Sequence, residues 1–163
     1  MKKIFVCLVA LLTIQQVSLA QNIPFKVSAE PIAPGKTSQQ VNWSLSLNQA
    51  VAVGLMTEQN VPANIVLLDA KLNGKKLWLK MSPELPKKKD AVHWYTSNRR
   101  LVLLFAPGQL TAGARLEVAM IEFYGKIMEA DQMNLNVFTL KADKNKVQKN
   151  RLLASQNIKI INK

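Results

Sequence analysis

An all-β sandwich is the fold class this sequence predicts, and three observations predict it. Val41, Trp43, Leu45 and Leu47 alternate with Asn42, Ser44 and Ser46, the period of two expected of a strand with one face buried. Similar apolar stretches recur along the chain, divided by turn formers such as Pro31 to Gly35, Asn73-Gly74, Pro83 with Pro86, and Pro107-Gly108. Beyond residue 20 there is no cysteine, so a fold of this size must be held by packing alone.

The first twenty residues read as a cleavable export signal. Lys2 and Lys3 precede an apolar run from Ile4 to Ile14, too short to span a bilayer comfortably, and Ser18-Leu19-Ala20 supplies small residues at the exit. The expected domains are therefore 1–20, a signal peptide, and 21–163, a single β-sandwich with a basic C-terminal segment. Cys7 lies inside the apolar run, so the mature chain has neither a lipid-bearing cysteine nor a disulfide. No integral membrane segment is expected after cleavage, and the destination is the periplasm or the cell surface.

The mature chain opens with a predicted strand in which Ile23, Phe25, Val27 and Ala29 share a face opposite Lys26 and Ser28; Pro31-Ile32-Ala33-Pro34-Gly35 ends it. The strand around Val41 to Leu47 follows. Ala50 to Met56 and Asn64 to Leu72 are two further apolar runs. Asn73-Gly74, whose residues tolerate positive φ, predicts a tight hairpin returning through Lys75 to Met81. In that strand Leu77, Leu79 and Met81 share one face and Lys76, Trp78 and Lys80 the other. Trp78 is then either a ligand platform or an indole covered by lysine stems.

Ser82 to Asp90, with Lys87-Lys88-Lys89, reads as a loop, Val92 to Tyr95 as a short strand, Ser97-Asn98 as a turn and Arg100 to Ala106 as an apolar strand. Leu116, Val118 and Met120 alternate before the apolar phase slips at Ile121 and Phe123, which a bulge would absorb. Met133 to Lys141 is strand-like, Val147 to Ser155 is compatible with a turn or two of amphipathic helix, and Ile158 to Ile161 is again strand-like. Short strands at this spacing favour an Ig-like antiparallel sandwich.

The formal charge is +12, and +10 once Lys2 and Lys3 are removed. Such a surface attracts polyanions or acidic partners, or simply keeps copies apart in solution. Lys75, Lys76, Lys87, Lys88, Lys89, Arg99 and Arg100 are the candidate polyanion-binding residues. Stacking aromatics near them are few and lysine outnumbers arginine, which argues against nucleic acid.

No enzyme signature is visible, and the chain reads as non-enzymatic. His93 is the single histidine, and nothing is spaced to join it as a metal ligand. Glu117 and Glu122 are five residues apart, which places them on alternate faces of a strand and not in a convergent acid-base pair. Gly108, Gly113 and Gly125 are isolated and build no phosphate loop. No cofactor is called for.

Two segments carry a family resemblance. IPFKVSAEP, residues 23–31, and LVLLFAPGQLTAGARLEVAM, residues 101–120, resemble the donor strand and the late strand-turn-strand of fimbrial subunits assembled by the alternate chaperone-usher pathway, the colonisation-factor type of enteric bacteria. The resemblance implies an incomplete Ig-like sandwich completed by a neighbour's N-terminal strand, with Ile23, Phe25, Val27 and Ala29 as inserting side chains. Fifty residues follow Gly113, where that family's Thr-Ala-Gly turn lies near its end. The expected function is an exported fimbrial subunit or accessory acting by β-strand pairing, its partners other subunits, a chaperone or an usher. The alternatives are a small basic periplasmic chaperone, or a module binding an anionic surface polymer such as lipopolysaccharide, a cell-wall polymer or DNA.

Overall fold

The computed structural model describes residues 24–29, 36–125, 132–144 and 146–159. The expected signal peptide, its cleavage site and Ile23 lie outside these residues. The strands are β1 (Phe25–Ala29), β2 (Ser38–Ser46), β3 (Gly54–Gln59), β4 (Asn64–Leu72), β5 (Lys75–Lys76), β6 (Trp78–Met81), β7 (Ala91–Ser97), β8 (Arg100–Phe105), β9 (Arg115–Phe123), β10 (Gln132–Asp143) and β11 (Lys146–Lys159). They form two sheets, ordered β1-β2-β9-β4-β5 and β11-β10-β3-β8-β7-β6. The pairs are antiparallel except β6 with β7. The Ig-like sandwich read from the sequence is thus the architecture found.

Alternation builds the core. Val41, Trp43 and Leu45 of β2, with Leu116, Val118 and Met120 of β9, face Leu55, Leu101, Leu103 and Phe105 across the sandwich, all essentially sealed from solvent. Burying each such side chain contributes about 1.5–3 kcal/mol. Gly54 is required where β3 meets β8, because a Cβ there would overlap the Leu103 carbonyl. The second sheet is also covered in the middle of its outer face. Val53, Met56, Val102, Leu104 and Leu140 are buried there, with Tyr95, Phe138 and Val147 packed against them.

Five sequence readings are corrected or refined. The apolar run Ala50 to Met56 is strand only from Gly54 onward, with Val51 making a lone bridge to Leu110. The return from Asn73-Gly74 has the expected positive φ at both residues, 51° and 77°, but is not one strand. Lys75 and Lys76 pair with β4; Leu77 then sinks between the sheets and β6 joins the other sheet parallel to β7. Leu77 still donates its N–H to the Ala70 carbonyl of β4 at 2.9 Å while its side chain is buried in the core, and the chain joins the other sheet from Trp78.

The third correction concerns β9. It has no slip of its own: Glu122 occupies the inward position after Met120, while Ile121 and Phe123 face out. The bulge lies on the partner strand, between Leu67 and Asp69, so that Ile65 and Leu67 and then Ala70 point inward. Fourth, Val147 to Ser155 is extended and belongs to β11, whose ladder to β10 supplies the backbone bonds that a short helix would have made internally. Ile160 and Ile161 lie outside the described residues. The turn expected at Ser97-Asn98 sits one residue later, with Arg99 at φ 56°.

Candidate functional site

β1 is the first described strand and an outer edge of its sheet. It pairs with β2 from Phe25↔Leu45 to Ala29↔Val41, and Ser46 N–H donates to the Pro24 carbonyl at 3.1 Å. Phe25, Val27 and Ala29 are half-buried against the core, while Lys26 and Ser28 are exposed. The Phe25 ring meets Trp43 edge-on at 6.1 Å between centroids. On the far edge, Val27 N–H donates to Gln156 Oε1 of β11 at 3.1 Å. The strand is therefore held by one ladder, one side-chain hydrogen bond and partial burial, with Phe25, Val27 and Ala29 beside Leu45, Trp43 and Val41 of β2.

At one end of the sandwich, where the chain crosses between sheets, Leu72, Leu77, Lys75, Lys76, Lys88 and Lys89 surround a cleft of about 750 Å³. Asp90 and Asn73 complete its wall. Two lysine pairs separated by eleven residues of chain thus converge, and Lys87 stands exposed beside them. Lys76 reaches Asp69 at 3.6 Å; Lys75, Lys87, Lys88 and Lys89 have no ion-pair partner among the described residues. Trp78 does not line the cleft but adjoins it: it follows Leu77, and its backbone N–H donates to the Asp90 carbonyl at 2.8 Å. Its indole is 76% exposed.

Arg99 and Arg100 do not join this cluster. Arg99 N–H donates to the carbonyl of Ala63, before the start of β4, whereas the cleft lies past its end. Arg100 pairs with Glu58 at 2.8 Å and Lys149 holds the other carboxylate oxygen at 2.7 Å. The Lys149 hydrogen bond, with Arg100 beside it and against some burial, keeps the Glu58 carboxyl below its ordinary range. Two of the chain's cations thus share one acid. Lys149 also stands 4.5 Å over the Phe138 ring.

A third concavity, about 530 Å³, lies on the outer face of the first sheet. It is lined by short polar side chains such as Ser28, Asn42 and Ser44, with charges of both signs from Lys26, Lys71, Asp69 and Glu117.

Inside the sandwich lies a polar cluster that the sequence reading missed. Glu122 is fully buried; its Oε2 accepts a hydrogen bond from Tyr124 and another from Gln39 Nε2 at 3.2 Å, and Gln39 also donates to the Tyr124 hydroxyl at 2.6 Å. Gln59, buried nearby, is close enough to favour the charged carboxylate yet stands outside hydrogen-bond geometry; its amide atoms and Glu122 Oε1 have no hydrogen-bond partner among the described residues. Burial pushes the Glu122 carboxyl above its ordinary range despite these bonds, and burial, then the Glu122 charge, pushes the Tyr124 hydroxyl up. The signal was strand parity, which continues Leu116, Val118, Met120 inward to Glu122 and Tyr124.

Glu117 faces out and pairs with Arg115 at 3.3 Å, so the two acids do not converge. His93 is half-buried, with Nδ1 2.7 Å from the Glu84 carbonyl. Among the described residues no group of three His, Cys, Asp or Glu side chains is placed to hold a metal ion, and no helix is long and apolar enough to cross a membrane.

No protein-family model matches the chain, and no curated protein matches it. Solved structures similar to it include the collagen-binding domain of Erysipelothrix rhusiopathiae surface protein RspB, at 9% identity and TM-score 0.47 over 88% of this chain and 47% of that one. The major pilin subunit of Bacillus cereus matches at 7% identity and TM-score 0.46, over 85% of this chain and 40% of that one. The collagen-binding domain of a Staphylococcus aureus adhesin matches at 10% identity and TM-score 0.45, over 85% of this chain and 97% of that one. The chain spans less than half the length of the first two. At such identities the likeness concerns the course of the chain and no side chain.

Proposed function

We propose that this chain is an exported, non-enzymatic subunit or assembly accessory of a bacterial surface fibre, which joins its neighbours by pairing β1 of one copy with β2 of the next. The observation that carries the reading is the position of β1: a five-residue edge strand, the first of those described, half-buried and bonded to the body by one ladder and one side-chain hydrogen bond. A partner's strand placed beside β2 would make the same main-chain bonds and set Phe25, Val27 and Ala29 against the same core, so exchange alters few contacts. Ile23, two residues before Phe25 in the sequence, is proposed as a further inserting side chain. A chaperone or usher would hold the same edge before assembly, in the periplasm, and other subunits would hold it at the cell surface.

The test uses a cross-strand cysteine pair, Lys26→Cys with Ser44→Cys, opposite residues of β1 and β2, in protein recovered after export. Its mass should correspond to a chain beginning at Gln21, free of Cys7. Oxidised assemblies should run as a ladder on a non-reducing gel. Disulfides formed only within single chains, in protein that is demonstrably assembled, would refute strand exchange.

A further inference from the structure

We infer that the lysine-lined cleft between the Asn73-Gly74 hairpin and the Lys87–Asp90 loop binds an anionic glycan, with Trp78 as the platform for a sugar ring. This site is separate from β1, and it stands or falls independently of strand exchange.

Four observations carry the assignment. First, the charge is concentrated. Lys75, Lys88 and Lys89 converge on one cleft with no ion-pair partner among the described residues, and Asp90 is the single acid in its wall. Second, the site is concave, about 750 Å³, and so recessed in a way that suits a chain segment better than a flat lipid surface. Third, Trp78 is joined through its backbone to two residues of the cleft wall, Leu77 before it and Asp90 by a hydrogen bond, and it is 76% exposed with no lysine stacked over it among the described residues. The alternative reading of that residue, an indole covered by lysine stems, is not what the fold shows. An exposed aromatic face offers the apolar C–H face of a sugar a surface to lie on, and its N–H can reach a hydroxyl.

Fourth, the composition selects against nucleic acid. Binding a single strand usually takes several aromatics on which successive bases stack; here one is exposed, since Trp94 is buried in the core. No arginine lines the cleft, so the bidentate fork that reads base edges is missing. Asp90, set among the lysines, would repel a continuous phosphate backbone but accept hydrogen bonds from sugar hydroxyls. The ligand chemistry is therefore a sugar chain carrying carboxylate, sulfate or phosphate groups, with anionic groups on Lys75, Lys88 and Lys89 and a ring on Trp78.

The probe is a heparin-derived octasaccharide, titrated calorimetrically against the mature protein. Three lysine contacts should make affinity fall about 20-fold between roughly 50 and 200 mM salt. The double variant Lys88→Glu with Lys89→Glu should lose about 10-fold or more in affinity. Trp78→Ala should lose about 5-fold or more, yet bind inorganic polyphosphate, which has no ring, as the parent does. Arg99→Glu should leave octasaccharide binding within about 2-fold. All of these side chains are at the surface or only partly buried, and unchanged melting temperatures verify that each variant folds. Failure to bind the octasaccharide would overturn the proposal, as would equal losses in Arg99→Glu and the cleft variants, which would mean a diffuse field. An unaffected Trp78→Ala would remove the glycan reading, and so would tighter binding of a thymidine 15-mer or of phosphatidylglycerol vesicles than of the octasaccharide.

Discussion

Replacing Glu122 by glutamine should change how stability depends on pH more than it changes the fold. In the unfolded chain a glutamate ionises near pH 4.3. In the folded chain burial raises that value, and no cation stands beside the carboxyl to oppose it: Tyr124, Gln39 and Gln59 are its neighbours. Between the two values the folded protein holds a proton that the unfolded chain has released. Its unfolding free energy therefore falls as pH rises through that window and stays lower above it, by about 1.4 kcal/mol for each unit of separation. Below the unfolded value both states are protonated and the full stability is present.

The Glu122→Gln variant keeps an acceptor for Tyr124 and Gln39 and cannot titrate. Its melting temperature relative to the parent should be lowest near pH 4 and should rise toward pH 7, ending level with the parent or above it. Glu122→Ala is the contrast. It removes the acceptor from two buried donors, at about 1–3 kcal/mol for each left unsatisfied, and opens a void. A loss of about 2–4 kcal/mol, or roughly 6–12 °C for a domain of this size, is expected near pH 4, and since alanine does not titrate either the gap should narrow toward pH 7 in parallel with that of Glu122→Gln. The assay is thermal unfolding followed by circular dichroism from pH 4 to 8. A gap between Glu122→Gln and the parent that stays constant with pH, or that widens against glutamine as pH rises, would refute the reasoning, because the carboxyl would then be stabilised in its charged form.

Val27→Asp places a carboxylate beside Trp43 of β2 and should abolish assembly measured by sedimentation, while Lys26→Asp and Ser28→Asp, on the exposed face, assemble nearly as the parent does; equal assembly by Val27→Asp and parent would exclude the donor-strand role. In the isolated monomer Val27→Asp should cost about 1–2 kcal/mol, because the lost valine burial is only partial. Gly54→Ala should lower stability by about 2–4 kcal/mol in chemical denaturation, since the new methyl must push β3 off β8 at the Leu103 carbonyl; a loss below about 1 kcal/mol would show that the two strands can part without disturbing the core.

Half of the candidate machinery was legible along the chain. The face shared by Phe25, Val27 and Ala29 follows from parity, and the structure packs that face half-buried against the core. The lysine clusters were visible too. Their grouping was not: Lys75-Lys76 and Lys88-Lys89 share a cleft because Leu77 carries the chain from one sheet to the other, whereas Arg99 turns at the opposite end and Arg100 is paired with Glu58, 42 residues away. Charge counting assigns all seven residues to one patch, and only strand order separates them.

By itself, the sequence determined what depends on neighbours two to four residues apart. The alternation of Val41 to Leu47 buries one side of β2, and Asn73-Gly74 turns with positive φ because those two residues tolerate it best. Tertiary structure decided what depends on partners far along the chain. The bulge at Leu67/Asp69 exists only relative to β9, and Val147 to Ser155 is extended because β10 offers a ladder. Glu122 is buried because the inward face of β9 continues to the end of the strand, beneath Gln39 and Gln59 from two other strands. A side chain's parity is a local property of the backbone; what stands opposite it, and whether its charge is met or left open, is settled only when the sheets close.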